Sequence, residues 1–314
     1  MTSIVTLSAV GIYIFFLVTG VSGNLFILTV HFLDWLKTRD CNQSMLIINS
    51  ISLINIFLQG TMTFNRVMCL MFKELFMQAW VAYPLSIILS SLAFSSLWCS
   101  TCLCFYYCIK ITNFSGSFFY KLKTKAPVLI PRLLLISIAA SWLLGLGAYL
   151  DLFIDVKPMT VTVLETGNTT SIFSFSFKSR CKCLFQIYML FAAIAFAIIF
   201  LTAGAIVTSL CKHMIRMKKS NEGSGKSKIH SHLSATKTVT SLLLLYLVFY
   251  GCMNSILMAL ENNDSFIFSR TFIVASIFPT FNSIILITGN QKLLINIKKL
   301  LGMKPVSTED TETT

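Results

Sequence analysis

Four cysteines, Cys99, Cys102, Cys104 and Cys108, stand close enough in the chain to suggest a metal cluster, and four histidines, His31, His213, His230 and His232, could supply ligands or a catalytic base. A zinc site needs its ligands to converge on one point. These cysteines fall within a single uninterrupted apolar stretch, where small thiols pack as buried apolar side chains. Nucleophilic catalysis needs a base beside the nucleophile. Every histidine lies at or beyond the end of an apolar stretch and no acid lies inside one, so neither a Ser/His pair nor a carboxylate pair can assemble there. The expectation is therefore no catalytic residue, no metal, no cofactor and no enzyme.

The elements that would position any chemistry are set by the distribution of charge. Of 314 residues, 55% are hydrophobic and 12% charged, about half the charge fraction of a soluble domain. Asp, Glu, Lys and Arg are absent from Met1–Leu33, Cys41–Asn65, Leu75–Ile109, Leu133–Leu150, Cys183–Cys211, Thr238–Leu260 and Thr271–Gln291. A helix crosses the hydrocarbon layer in about 20 apolar residues, so these runs predict seven spans in one domain covering residues 1–314. The third run is read as one helix from near Pro84 with a loop before it. The fourth is short and reaches adequate length if Arg132 snorkels. No ten-residue alternation suggests a barrel, so the fold class is an all-α seven-helix transmembrane bundle.

The net charge of +13 divides unevenly across the spans. Eighteen Lys and Arg fall on one side and seven on the other, with six acids on each, giving +12 and +1. The positive-inside rule places the +12 side in the cytoplasm and the N-terminus outside. The basic excess thus reads as topology, and as a face for anionic lipid or an acidic partner; nucleic acid is a poor fit. The opening run lacks a basic leader and exceeds a signal-peptide core, so it is expected to be the first span. No internal repeat or inverted symmetry points to a transporter.

Topology also sorts the loops. Sequons at Asn42 and Asn113 lie inside and are excluded from glycosylation; Asn168, in the outer segment 152–182, is the expected site, and Asn263 lies close to the membrane. Cys69, Cys181 and Cys183 face outward, and a disulfide from Cys69 to Cys181 or Cys183 stays open. Cys108 and Cys211 at the inner boundary could carry palmitate or be plain buried thiols. The third cytoplasmic loop is assigned to 211–237. After the last span, Leu293, Leu294, Ile297, Leu300 and Leu301 recur at helical spacing with lysines opposite, predicting a short helix on the membrane surface. Gly302 and Pro305 end it, and the acidic, Thr-rich tail 302–314 reads as disordered.

Seven helices with an outer N-terminus and this length resemble a G protein-coupled receptor, but the rhodopsin-like landmarks are missing: no Asp-Arg-Tyr closes the third helix and no Asn-Pro-x-x-Tyr the seventh. Other landmarks are present. Helix one carries Gly23-Asn24-Leu25-Phe26-Ile27 and Asp34-Trp35-Leu36-Lys37. Helix three reads Trp98-Cys99-Ser100-Thr101-Cys102-Leu103-Cys104-Phe105-Tyr106-Tyr107-Cys108-Ile109-Lys110-Ile111-Thr112-Asn113-Phe114-Ser115. Helix five ends Ser209-Leu210-Cys211-Lys212-His213, and helix six opens with His232-Leu233-Ser234-Ala235-Thr236-Lys237. Helix seven closes with Pro279 and then Thr288-Gly289-Asn290-Gln291-Lys292-Leu293. Five blocks in order resemble the taste receptor type 2 family, the bitter taste receptors.

The resemblance implies a plasma-membrane receptor that binds a small-molecule agonist in the outer half of the bundle and couples inside to a heterotrimeric G protein, gustducin-like in that family. Projected onto this chain, the ligand cleft is lined by Leu89, Ala93, Phe249, Met253, Asn254 and Phe272. The coupling surface comprises Tyr106, Lys110, Lys212, His213, Arg216 and Lys237, although positive-inside anchoring accounts for most of the basic residues. Departures from the family pattern are many. Leu53 stands where an Arg is usual in helix two, which would remove a polar contact to Asn24 and helix seven. Ala195 replaces a Pro, Asn282 a His, Ala93-Phe94 an Asn-His pair, and Phe249 a common Tyr. With no acid in the spans, the cleft is expected to favour neutral or weakly polar ligands. A receptor of the related vomeronasal type 1 family is the alternative, and a transporter a weaker one.

Overall fold

In the computed structural model the backbone is described for all residues except 1, 40–41, 77, 113–116, 163–168, 180–181, 221–225, 262–264 and 303–314. The helices are α1 (Thr2–Thr38), α2 (Gln43–Met71), a short α3 (Lys73–Phe76), α4 (Ala79–Ile111) and α5 (Ser117–Asp151). Strands β1 (Leu152–Thr162) and β2 (Thr169–Ser179) follow, and then α6 (Lys182–Ser220), α7 (Lys226–Glu261), α8 (Ser265–Ser276), α9 (Phe278–Gly289) and α10 (Gln291–Leu300). Among the described residues seven stretches are long and apolar enough to cross a membrane: one each in α1, α2, α4, α5, α6 and α7, and a seventh formed jointly by α8 and α9.

The apolar composition of these helices has two destinations. Leu135 and Leu143 on α5, Leu201 on α6 and Leu244 on α7 point outward, where acyl chains rather than water meet them and the backbone must close its own hydrogen bonds. Leu58, Leu103, Ile130, Ile199 and Leu242 form the interior. At the centre is α4, whose membrane window is 67% buried against 22% for α1. It packs on α2, α5, α6 and α7.

Four features differ in detail from the sequence reading. The third span begins at Ala79, five residues ahead of Pro84; near a helix start a proline removes one hydrogen bond and bends the axis rather than ending it. The fourth reaches its length by continuing inward through Lys121, Lys123 and Lys125, so its adequacy does not rest on Arg132. The outer segment adds an antiparallel hairpin to the helical bundle, with Leu152 opposite Ser179 and Thr162 opposite Thr169. Most of 211–237 is helical, because α6 runs to Ser220 and α7 starts at Lys226.

The seventh span breaks between Ser276 and Phe278, where Pro279 has no N–H to offer the carbonyl of Ala275. Below the break α9 is drawn tightly onto α1. A Cβ placed on Gly20 would lie 2.7 Å from Thr280 Oγ1, and one on Gly23 2.6 Å from Ser283 Oγ, so these glycines permit the approach. After Gly289, Asn290 caps α10 by accepting from the Lys292 amide at 3.1 Å, and Gly302 stops that helix at φ +66°. Leu293 is buried under the bundle, while Leu300 and Leu301 stay exposed.

Candidate functional site

The six cleft residues are distributed over three helices. Leu89 and Ala93 lie on α4, Phe249, Met253 and Asn254 on α7, and Phe272 on α8. Ala93, Phe249 and Phe272 are buried, and Leu89 and Met253 are half-buried against the same apolar cluster. Asn254 Nδ2 donates to the Tyr250 carbonyl of its own helix at 3.0 Å.

Aromatic rings fill the space between these helices. Phe249 stacks on Phe278 with centroids 4.1 Å apart and planes at 25°, and Phe278 meets Tyr246 edge-on at 5.0 Å. Beside Ala93, Phe94 stacks on Tyr188 at 5.9 Å, and Phe191 lies 4.7 Å from Trp98. Aromatic pairs of this kind add modest energy beyond their burial.

Arg66 corrects the expectation that the spans hold no interior charge. Counted from sequence as an outer flanking base, it is only 3% exposed and faces inward from α2. Its guanidinium carbon sits 5.2 Å from the ring centre of Phe272 and 5.8 Å from that of Tyr13, within cation–π range. A further point concerns Leu53. This residue faces outward and is 49% exposed, and Asn24 reaches helix seven without an arginine, its Nδ2 donating to the Gly20 carbonyl at 2.8 Å and the Pro279 carbonyl at 3.5 Å.

Directly beneath the rings, four helices are cross-braced. Ser96 Oγ on α4 donates to Asn55 Oδ1 on α2 at 2.9 Å. Tyr246 on α7 donates to the Ser96 carbonyl at 3.1 Å and pairs with Ser100 Oγ. Asn282 Nδ2 on α9 donates to Tyr246 Oη at 3.3 Å. Phe278, on which Phe249 stacks, rests on this tyrosine, so the ring stack and the brace are in direct contact. Sequence reasoning singled out neither Asn55 nor Tyr246 for a functional role. The available signal was the burial expected of polar residues inside an apolar run, which must find partners within the bundle.

At the inner end, Tyr106 is buried and its hydroxyl donates to Asn42 Oδ1 at 3.4 Å. Lys110 Nζ stands 5.7 Å from the Tyr106 ring centre. Lys212 and Lys237 are exposed on α6 and α7. The side chains of His213 and Arg216 lie outside the described residues, as does Asn168. Lys292 of α10 forms an ion pair with Asp34 of α1. Nearby, His31 Nδ1 and Asn49 Oδ1 are 2.6 Å apart, bonding α1 to α2.

In α4, Cys99, Cys102, Cys104 and Cys108 are free, buried thiols, and among the described residues no three or more His, Cys, Asp or Glu side chains are grouped as metal ligands would be. Cys69 is also a free thiol; Cys181 lies outside the described residues. An apolar groove of about 270 Å³, including Phe57, Gly60, Phe64 and Ile88, opens between α2 and α4. Phe57 and Phe64 are exposed there, and the groove holds none of the six cleft residues.

Comparison with known proteins agrees with this architecture. A family model described as "Taste receptor protein (TAS2R)" matches residues 1–304. The chain is 31% identical to taste receptor type 2 member 120 of Mus musculus over 87% of its own length and 90% of the relative's. It is 27% identical to member 117 of Rattus norvegicus, covering 88% and 86%, and 25% identical to member 8 of Gorilla gorilla gorilla, covering 92% and 94%.

Proposed function

This chain belongs to the taste receptor type 2 family of G protein-coupled receptors, and on that premise we propose that its agonists are small, mostly apolar bitter-type chemicals bound in the outer half of the bundle. It is a multi-pass chemosensory receptor, not an enzyme. The observation that carries the ligand reading is the shared aromatic contact: Phe249 stacks on Phe278, which abuts Tyr246 of the four-helix brace. A guest that moves the outer ring therefore acts on the side chain that ties α4, α7 and α9 together. Only a ligand that binds the active arrangement more tightly than the resting one shifts the balance.

The charge preference follows from the same wall. Arg66 brings a positive group beside Phe272, and the acids of the chain lie outside the apolar runs, so neutral and weakly polar agonists fit and permanently charged amines do not. Inside, Tyr106, Lys110, Lys212, His213, Arg216 and Lys237 form the coupling surface for a heterotrimeric G protein, gustducin-like by family resemblance, at the plasma membrane. Support for this surface is the position of Lys110 against Tyr106 at the base of α4 and the exposure of Lys212 and Lys237 on neighbouring helices.

The test is calcium release in cells that carry the receptor at their surface with a promiscuous or taste-type G protein. Neutral bitter compounds should give responses, and quaternary amines should not. Activation by quaternary amines alone would refute the ligand class, and silence across a broad bitter panel at confirmed surface expression would refute bitter sensing.

A further inference from the structure

The layer around the brace carries more hydrogen-bonding capacity than the described side chains use. Asn24 on α1, Asn55 and Gln59 on α2 and Asn282 on α9 are all fully buried. Among the described residues, neither Oε1 nor Nε2 of Gln59 has a partner, and Asn24 Oδ1, Asn55 Nδ2 and Asn282 Oδ1 are in the same position. The opposite ends of the three asparagines are held, by Gly20 and Pro279, by Ser96 and by Tyr246 respectively. Reversing the Asn24 amide would set its oxygen against two carbonyls, so its free end is fixed as an acceptor.

Gln59 and Asn24 approach the same glycine, and Asn55 and Asn282 are joined through Ser96 and Tyr246. A Cβ built on Gly20 would lie 3.5 Å from Gln59 Oε1 and 2.7 Å from Thr280 Oγ1, and Asn24 bonds the carbonyl of that same glycine. Asn55 is one helical turn from Gln59 on the same face of α2. Left dry, each atom would forfeit the free energy of a hydrogen bond it makes in the unfolded chain.

The chemistry of the free ends identifies what satisfies them. Three are acceptors, two are donors, and none is charged. A bare cation is repelled by the amide N–H groups, an anion by the carbonyl oxygens, and an apolar guest answers neither. Water both donates and accepts. We propose that a cluster of internal water molecules, on the order of two at about three hydrogen bonds each, bridges Asn24, Asn55, Gln59 and Asn282. Water-bridged amides exchange partners over short displacements, so this layer joins α1, α2 and α9 without locking them in one register.

Radiolytic hydroxyl footprinting of the full-length receptor in lipid nanodiscs tests this, because radicals born on bound water label neighbouring side chains whatever their bulk exposure. Met62, one turn from Gln59 and 2% exposed, and Tyr246, 1% exposed, are the reporters; Ile199 and Ile206 on α6, both 0% exposed, are the dry references. After correction for intrinsic reactivity, the reporters should label several-fold faster than the references. Gln59→Leu should bring Met62 down to the reference rate. Equal rates at reporters and references in the unsubstituted receptor would overturn the proposal by themselves, and that comparison stands even if Gln59→Leu fails to reach the membrane.

Discussion

The outer and inner halves of the bundle are held together by different means. Toward the outside, the helices meet through rings: Phe249 on Phe278, Phe94 on Tyr188, Phe191 on Trp98. At the brace and inward of it, directional contacts dominate: Tyr106 to Asn42, His31 to Asn49, Asp34 to Lys292, and an α1–α9 seam that admits only glycine at close range. Ring contacts tolerate sliding and substitution, whereas hydrogen bonds lose most of their energy with small changes of distance or angle. A receptor that must accept varied chemistry at one end and meet one kind of partner at the other would be built this way. The family landmarks fall mostly inward, and the departures at Ala93, Phe94 and Phe249 fall outward.

Substitutions at the two ends should separate along this line. The largest effect is expected at the coupling surface, where Lys110→Ala or Lys237→Ala should lower calcium signalling about tenfold in agonist potency, equivalent to about 1.4 kcal/mol, at unchanged surface expression. Unchanged signalling at equal expression would remove that lysine from the surface. Next, Tyr246→Phe deletes the hydroxyl that connects Ser96, Ser100 and Asn282. The cost is about 1 kcal/mol, seen as a lower melting temperature of the purified receptor with any agonist, and a wild-type melting temperature would deprive the brace of its structural role. The smallest effect is expected at Phe249→Leu, which keeps an apolar side chain but ends the stacking on Phe278, a term of about 0.5–1.5 kcal/mol. Potency should shift a few-fold, to different extents for different agonists. A uniform loss across all agonists would place Phe249 with the inner machinery and blur the division.

How far the sequence could be read depended on which physical signal each feature leaves. Seven spans were legible because charge is so costly in hydrocarbon that its absence marks them. The surface helix α10 was legible from the spacing of Leu293, Leu294 and Ile297 against its lysines. Arg66 was missed because it closes a charge-free run and was counted as a flank; yet α2 continues to Met71, and spacings of four, three and four residues set Asn55, Gln59, Met62 and Arg66 on one buried face. The β2 strand also left a readable trace, the alternation Phe173-Ser174-Phe175-Ser176-Phe177, with the period of a strand. The residues of the cleft left the faintest signal. An apolar side chain facing a guest, a neighbouring helix or lipid obeys the same transfer energetics, so composition alone does not separate the three.

The break in the seventh span has a consequence for how such a chain can change over generations. Because α9 is anchored to α1 through Asn24, Gly20 and Gly23 while α8 lies beyond Pro279, a substitution in α8 need not disturb the register below it. Exposed side chains of α8 such as Val274 can change while the α1–α9 seam, and Phe272 buried against Tyr13 and Arg66, stay under constraint. A proline that interrupts one helix thus separates what selection can alter cheaply from what it must preserve.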